Sequence, residues 1–324
     1  MSVSDCASLA GNATKITARG FGWTHAGRSE PALSDIDLII EPGERVLLCG
    51  DSGSGKSTFL AAMAGVLGSD EEGTRTGEIL LEDSTGMVEE PGHTIPVGLV
   101  LQDPDSQVIS ARVGDDIAFG CENLAYPRGE IWRRVAAAKE LVGPFVDLDF
   151  PTERLSGGQK QRLALAGVIA MGAGVVLLDE PTANLDPEGA RDVVRAVSAL
   201  VEETGATLVV VEHQHAAWKG VLERAVELDH GRIVSDGPFA EVAQRRRVEG
   251  LPQARRLGEA ELAGREAALW STDLVTRYGP PRTIALPAGA STVITGPNGA
   301  GKSTWLMTMA GLLPAKSGEI GVAD

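Results

Sequence analysis

The nine residues "GDSGSGKST" at 50–58 return as "GPNGAGKST" at 296–304. Each copy satisfies G-x-x-x-x-G-K-[ST], leaves an apolar run, and enters a stretch with helical character ("FLAAMAGVLG", "WLMTMAGLLP"). Few short patterns constrain a fold more tightly. The glycines let backbone N–H groups wrap a phosphate, the lysine reaches the outer phosphate oxygens, and the following hydroxyl is placed to ligate Mg²⁺. In the first copy the cradle is Gly50, Asp51, Ser52, Gly53, Ser54, Gly55, Lys56, Ser57 and Thr58. In the second it is Gly296, Pro297, Asn298, Gly299, Ala300, Gly301, Lys302, Ser303 and Thr304. A glycine-rich structural turn can spell the same letters, so the reading depends on what lies around and downstream of each loop.

The flanks repeat too. "PALSDIDLIIEPGERVLLCG" and "RTIALPAGASTVITG" each predict a strand, a turn around Gly43 or Gly289, and an apolar strand entering the loop. "TGEILLED" and "SGEIGVAD" follow the two helices. Self-similarity at this spacing indicates two copies of a domain rather than a short-repeat solenoid. The expected division is a first domain over 12–244, a linker over 245–265, and the N-terminal part of a second copy over 266–324. The linker carries Arg245, Arg246, Arg247, Arg255 and Arg256 and has some helical character. Such a cluster suits either anionic lipid head groups or a solvated segment balanced by its glutamates.

Within the first copy, strands are expected near 45–49, 97–101, 175–179 and 207–211, and helices near 56–66, 130–142, 157–170 and 187–203. In the last helix Val193, Val197, Leu200 and Val201 share one face. Alternation of this kind gives an α/β fold with a largely parallel central sheet. Composition narrows the function classes. A formal net charge of −16 and a pI near 4.8 argue against general nucleic-acid binding through a basic surface. Cys6, Cys49 and Cys121 are scattered and odd in number, which suits a reducing compartment without a disulfide framework. The N-terminus lacks a secretory pattern, and the apolar run 166–178 falls short of the roughly 18 residues a membrane span needs.

Chemistry-bearing residues cluster at strand ends. "VVLLDEP" sets Asp179 and Glu180 at the end of a buried run, where a carboxylate is costly without a cationic partner; Mg²⁺ would be one. Asp179 then holds metal and Glu180 faces the attacking water, although an N-cap pair before Pro181 is the plainer alternative. "LVLQD" ends at Gln102 and "TLVVVEH" at His213, on the sheet edge where α/β proteins bind ligands. Gln102 would ligate Mg²⁺ or order water, and His213 would donate to the γ-phosphate, with His215 in reserve. "LSGGQKQR" opens another helix, so Ser156, Gly157, Gly158 and Gln159 form a second anion site or an ordinary cap.

In order and spacing, the loop, "LQD", "LSGGQ", "LLDEP", "NLDP" and the strand-end histidine resemble the ATP-binding-cassette (ABC) ATPases. The resemblance is full over about residues 14–240 and covers only the first portion of a second cassette over 266–324. It implies a P-loop NTPase with a RecA-like parallel core, an N-terminal antiparallel part and a helical subdomain, binding ATP and Mg²⁺. It also implies that Trp23, and Tyr278 in the second copy, stack on adenine, and that Asp186 couples two sites across an interface. Cassettes of this family close head to tail, so Ser156–Gln159 would meet nucleotide held by another cassette's loop, in cis or on another subunit. Neither composite site is complete within these residues, so the expectation is a fragment of a longer tandem protein.

The segment 102–143, with "DDIAFGCENL", is similar to the A components of energy-coupling-factor (ECF) importers, including the cobalt and nickel type. That implies an ATPase at the cytoplasmic membrane face, energising uptake of a vitamin or transition-metal ion. Its partners would be a transmembrane coupling subunit and a small substrate-capture membrane protein. A soluble tandem ATPase acting on ribosomes or nucleic acid is the rival, disfavoured by the acidic charge and short linker. A non-hydrolysing nucleotide-binding regulator is a third, disfavoured by Glu180 and His213.

Overall fold

Strand β3 (Arg45–Cys49) explains how the first unit is built. Its apolar run is buried on both faces, which only a central parallel strand requires. Val46 and Leu48 face one core together with Phe59, Leu60 and Met63, whereas Leu47 and Cys49 face a second core on the other side of the sheet. The computed structural model describes residues 13–67, 72–143, 146–183, 185–213, 215–249, 261, 264–277, 279–296 and 299–323. They fall into two units, Met1–Glu249 and Gly250–Asp324.

In the first unit, β1 (Lys15–His25), β2 (Leu33–Ile40), β4 (Gly73–Glu82) and β5 (Val88–Glu89) form an antiparallel sheet in the order β2-β1-β4-β5. The main sheet combines β3 with β6 (Val97–Val100), β7 (Val175–Asp179), β8 (Thr207–Val211), β9 (Arg224–Asp229) and β10 (Arg232–Pro238). Its order is β10-β9-β3-β8-β7-β6, parallel except for the β9–β10 pair. One core lies between this sheet and the antiparallel one, with α1 (Lys56–Met63) inside it. The other is covered by α2 (Val113–Asn123), α3 (Arg128–Leu141), α4 (Gly157–Met171), α5 (Pro187–Thr204) and α6 (Phe239–Glu249).

Three of the four expected strands coincide with their spans, and the fourth ends one residue early, at Val100. Helix α5 buries the predicted stripe of Val193, Val197, Leu200 and Val201. It starts at an Asp186 cap with Pro187 behind it and stops at Gly205, whose φ of 69° ends the helix in the left-handed region. Helix α1 is shorter than expected because Gly65 turns out at φ 71° and packs on the backbone of Gly92, where a Cβ would come within 2.5 Å of the Gly92 nitrogen. Helix α2 went unforeseen: Arg112 precedes it without a side-chain cap. Helix α6 carries the first unit to Glu249, past the expected limit of 244. Most of the remaining linker, 250–260 and 262–263, lies outside the described residues.

The second unit contains β11 (Ala267–Val275), β12 (Arg282–Pro287), α7 (Lys302–Met309) and β13 (Ser317–Val322), with sheet order β12-β11-β13. It corrects one expectation. The run at 291–296 entering the second loop is irregular rather than a strand, and Val293 is 83% exposed. In the first unit β3 is hydrogen-bonded on both edges by β8 and β9. No strand of the second unit pairs with 291–296 among the described residues, and an unpaired strand leaves its backbone groups to water.

Candidate functional site

The first loop closes on itself. Gly50, Gly53 and Gly55 have φ of 144°, 82° and 103°, in the region that favours glycine. Space reinforces two of these choices. A Cβ on Gly50 would stand 2.1 Å from the Leu228 carbonyl oxygen, and one on Gly55 2.6 Å from that of Ala32. The buried Lys56 donates through Nζ to the carbonyls of Gly50 at 2.9 Å and Asp51 at 2.8 Å. The Ser54 hydroxyl is buried within the loop and has no hydrogen-bond partner among the described residues. The second loop repeats the backbone, with Gly296, Gly299 and Gly301 at 150°, 79° and 80°, and Lys302 Nζ donating to the Gly296 carbonyl at 2.7 Å. Pro297, Asn298 and Tyr278 lie outside the described residues.

Register across the sheet brings the strand-end residues together. Asp179 pairs with Val211, and the Glu180 N–H donates to the Val211 carbonyl at 2.9 Å. Burial pushes the Asp179 carboxyl above its ordinary range, and the Glu180 charge adds to this; a hydrogen bond with Ser57 and the charges of Lys56 and His213 oppose it. Glu180 has φ 47°, a strained value for a non-glycine residue that turns its side chain out of the strand direction. Its two oxygens are separately held. Gln102 Nε2 donates to Oε2 at 2.8 Å, and His213 Nε2 stands 3.1 Å from Oε1. Gln102, Asp179, Glu180 and His213 thus come from the ends of three adjacent strands, as the sheet edge allows. His215 turns elsewhere, its Nε2 lying 3.0 Å from the Glu212 carbonyl oxygen.

Ser156 and Gln159 hold each other in a capping box at the start of α4: the Gln159 N–H donates to Ser156 Oγ, and the Ser156 N–H to Gln159 Oε1. Gly157 and Gly158 lie beside Leu185. Asp186 accepts from the Gly189 N–H at 2.7 Å. One expectation needs correcting. Trp23 is 4% exposed, its ring sits against Gly73, and its Nε1 donates to His25 Nδ1 at 3.1 Å. Strand β1 carries it into the core beside Phe21, so it presents no open face for adenine in this conformation. Glu212 was passed over. It is buried, and the same pattern that flagged Glu180, a carboxylate closing an apolar run, was legible in "TLVVVE".

The family model described as ABC transporter matches residues 33–183 and 282–324. The energy-coupling factor transporter ATP-binding protein EcfA1 of Caldanaerobacter subterraneus is 39% identical over 66% of this chain and 76% of its own length. A Bacillus subtilis protein named for HMP/thiamine import, YkoD, is 31% identical over 95% of this chain and 64% of its own. The chain spans 35% of the length of a Methanosarcina acetivorans relative, an ABC transporter ATP-binding protein by name. Among solved structures, a Clostridium perfringens chain described as part of the ABC transporter complex cbiONQ is 30% identical, with a TM-score of 0.61, covering 74% of this chain and 93% of that one. Matched over both of its phosphate-loop regions, the chain belongs to the ABC transporter family of ATP-binding proteins.

Proposed function

We propose that this chain is the ATP-binding and ATP-hydrolysing part of a membrane importer of the energy-coupling-factor type, taking up a vitamin or a transition-metal ion. The observation that carries the reading is Glu180, held on one oxygen by Gln102 and on the other by His213, directly beyond Asp179.

The residues fit ATP and Mg²⁺. The glycine cradle admits no side chains at Gly50 or Gly55, the Ser54 hydroxyl has no partner among the described residues, and the Lys56 ammonium lies within the loop. Bound Mg²⁺ would neutralise charge on the phosphates. Asp179, Ser57 and Gln102 would supply its oxygen ligands, and Lys56 would meet the outer phosphates. Glu180 takes the proton of the attacking water; His213 holds Glu180 in line and donates to the γ-phosphate. Ser156–Gln159 and Asp186 face the nucleotide of a second cassette. Residues 282–324 match the same family model, which supports a second cassette on the same chain.

A peripheral position on a membrane partner is supported by the exposed apolar side chains Leu101 and Ile109 after β6, Phe119 on α2, Leu124 just beyond it and Trp132 on α3. Among the described residues no helix is long and apolar enough to cross a membrane. The names of the relatives above agree with this role.

The test pairs turnover with capture. Glu180→Gln should retain ATP binding and lose steady-state hydrolysis, and the tagged protein should co-purify from detergent-solubilised membranes with hydrophobic subunits. Undiminished hydrolysis in the variant would sink the catalytic assignment. Recovery with ribosomes and without membrane proteins would sink the transport assignment.

A further inference from the structure

We propose that Glu212 is a positioning residue of the hydrolytic site: its buried carboxylate clamps the turn after Glu180 to the segment carrying His213. This rests on the reading of Glu180 and His213 given above.

Burying a carboxylate next to Val209, Val210 and Val211 costs free energy unless fixed donors meet both of its oxygens. Here they do. Oε1 accepts the His213 N–H at 2.8 Å, and Oε2 accepts the hydroxyl of Thr182, itself buried. Thr182 lies two residues beyond Glu180 in the chain. The contacts therefore close a ring: from the Glu180 carboxylate to the His213 imidazole, through the His213 N–H to Glu212, from Glu212 to the Thr182 hydroxyl, and back along Pro181 to Glu180.

Two further bonds brace this ring. The Glu180 N–H is fixed on the Val211 carbonyl at 2.9 Å, and the Ala183 N–H returns to the Glu180 carbonyl at 3.0 Å. Glu180 itself sits at φ 47°, and such a conformation persists only where its surroundings over-determine it. The Glu212 side chain is turned into the protein, with both oxygens on these internal donors. Its effect on hydrolysis is exerted through the placement of Glu180 and His213, where small displacements are costly in rate.

Four variants of the full chain test this. Glu212→Ala should lower kcat for ATP roughly tenfold and leave the ATP KM within about twofold. Glu212→Gln can keep the ring, with its carbonyl accepting from His213 and its amide donating to the Thr182 hydroxyl, and should recover activity to within about threefold of wild type. Thr182→Val breaks one of the two contacts that Glu212→Ala removes, so it should lower kcat by no more than Glu212→Ala does, and the double variant should lose no more than Glu212→Ala alone. A purely structural carboxylate would instead lower Tm while leaving kcat of the folded protein unchanged, and that result overturns the proposal. So would losses that multiply in the double variant. If Glu212→Ala does not fold, Thr182→Val and Glu212→Gln carry the test.

Amide hydrogen exchange at His213 gives a readout independent of turnover. It should accelerate at least tenfold in Glu212→Ala and stay near the wild-type rate in Glu212→Gln. Wild-type protein that binds ATP without hydrolysing it would remove the functional reading. Unchanged exchange at His213 in Glu212→Ala would remove the clamp.

Discussion

The position of Asp179 at the end of β7 is costly to the fold. Its carboxyl is pushed up chiefly by burial and then by Glu180, so the folded chain holds this proton more tightly than the unfolded one. From the ordinary value of 3.8 up to its raised value, the folded state therefore binds more protons, and this group's contribution to stability falls as pH rises through that window. Asp179→Asn removes the charge while keeping an acceptor for Ser57. It should raise Tm of the nucleotide-free protein at pH 7 by about 2–4 °C, corresponding to about 1 kcal/mol, with the gain shrinking as pH is lowered through the window. A thermal melt that is lower in the variant at pH 7 would show that the hydrogen bonds of Asp179 outweigh its desolvation. Trp23 provides a contrasting case. Its sequence position suggested an adenine platform, but strand alternation beside Phe21 turns it inward, so Trp23→Ala should cost about 3–5 kcal/mol in chemical denaturation, far more than removal of an exposed ring would.

At the scale of elements, four of the six strands of the main sheet were legible as short apolar runs, two of them closed by polar residues with chemistry in "VVLLDE" and "LVLQD", whereas β9 and β10 were not expected. The main helices were legible because glycines and an Asp-Pro cap mark their ends. What stayed hidden depends on tertiary partners. Helix α2 lacks a side-chain cap, and its backbone start is instead fixed by the Val113 and Gly114 N–H groups donating to Phe150 and Leu148 carbonyls far along the chain. The positions of Gln102 and His213 on Glu180 likewise depend on strand order, which no local pattern specifies. The packing of β6 on α4 provides a test at this scale. A Cβ on Gly98 would lie 2.3 Å from Val168 Cγ1, so the glycine is what lets the helix lie against the strand. Gly98→Ala should destabilise the first unit by about 1–3 kcal/mol in urea unfolding, and Gly98→Ala with Val168→Ala should recover part of that loss. A single variant as stable as wild type would mean that α4 shifts freely, contrary to the tight contact.

For the molecule as a whole, the two units differ in how fully they bury themselves. The first has apolar cores on both faces of its main sheet, each closed by its own helices or its antiparallel sheet. The second gathers a small cluster around Leu274, Trp305 and Met309, while Val293, Leu312 and Val322 are each more than 70% exposed. The irregular run at 291–296 belongs to the same picture: strand formation there requires parallel neighbours, which β8 and β9 provide to β3 in the first unit. Stability should therefore reside in the first unit. Removing residues 250–324 is expected to leave the main thermal transition within about 2 °C of the full chain, and to lower binding of a dye that reports exposed apolar surface. Differential scanning calorimetry and dye fluorescence on the two proteins decide this. A main transition that falls by 10 °C or more on truncation would show that the second unit braces the first, and the expectation of independent folding would have to be abandoned.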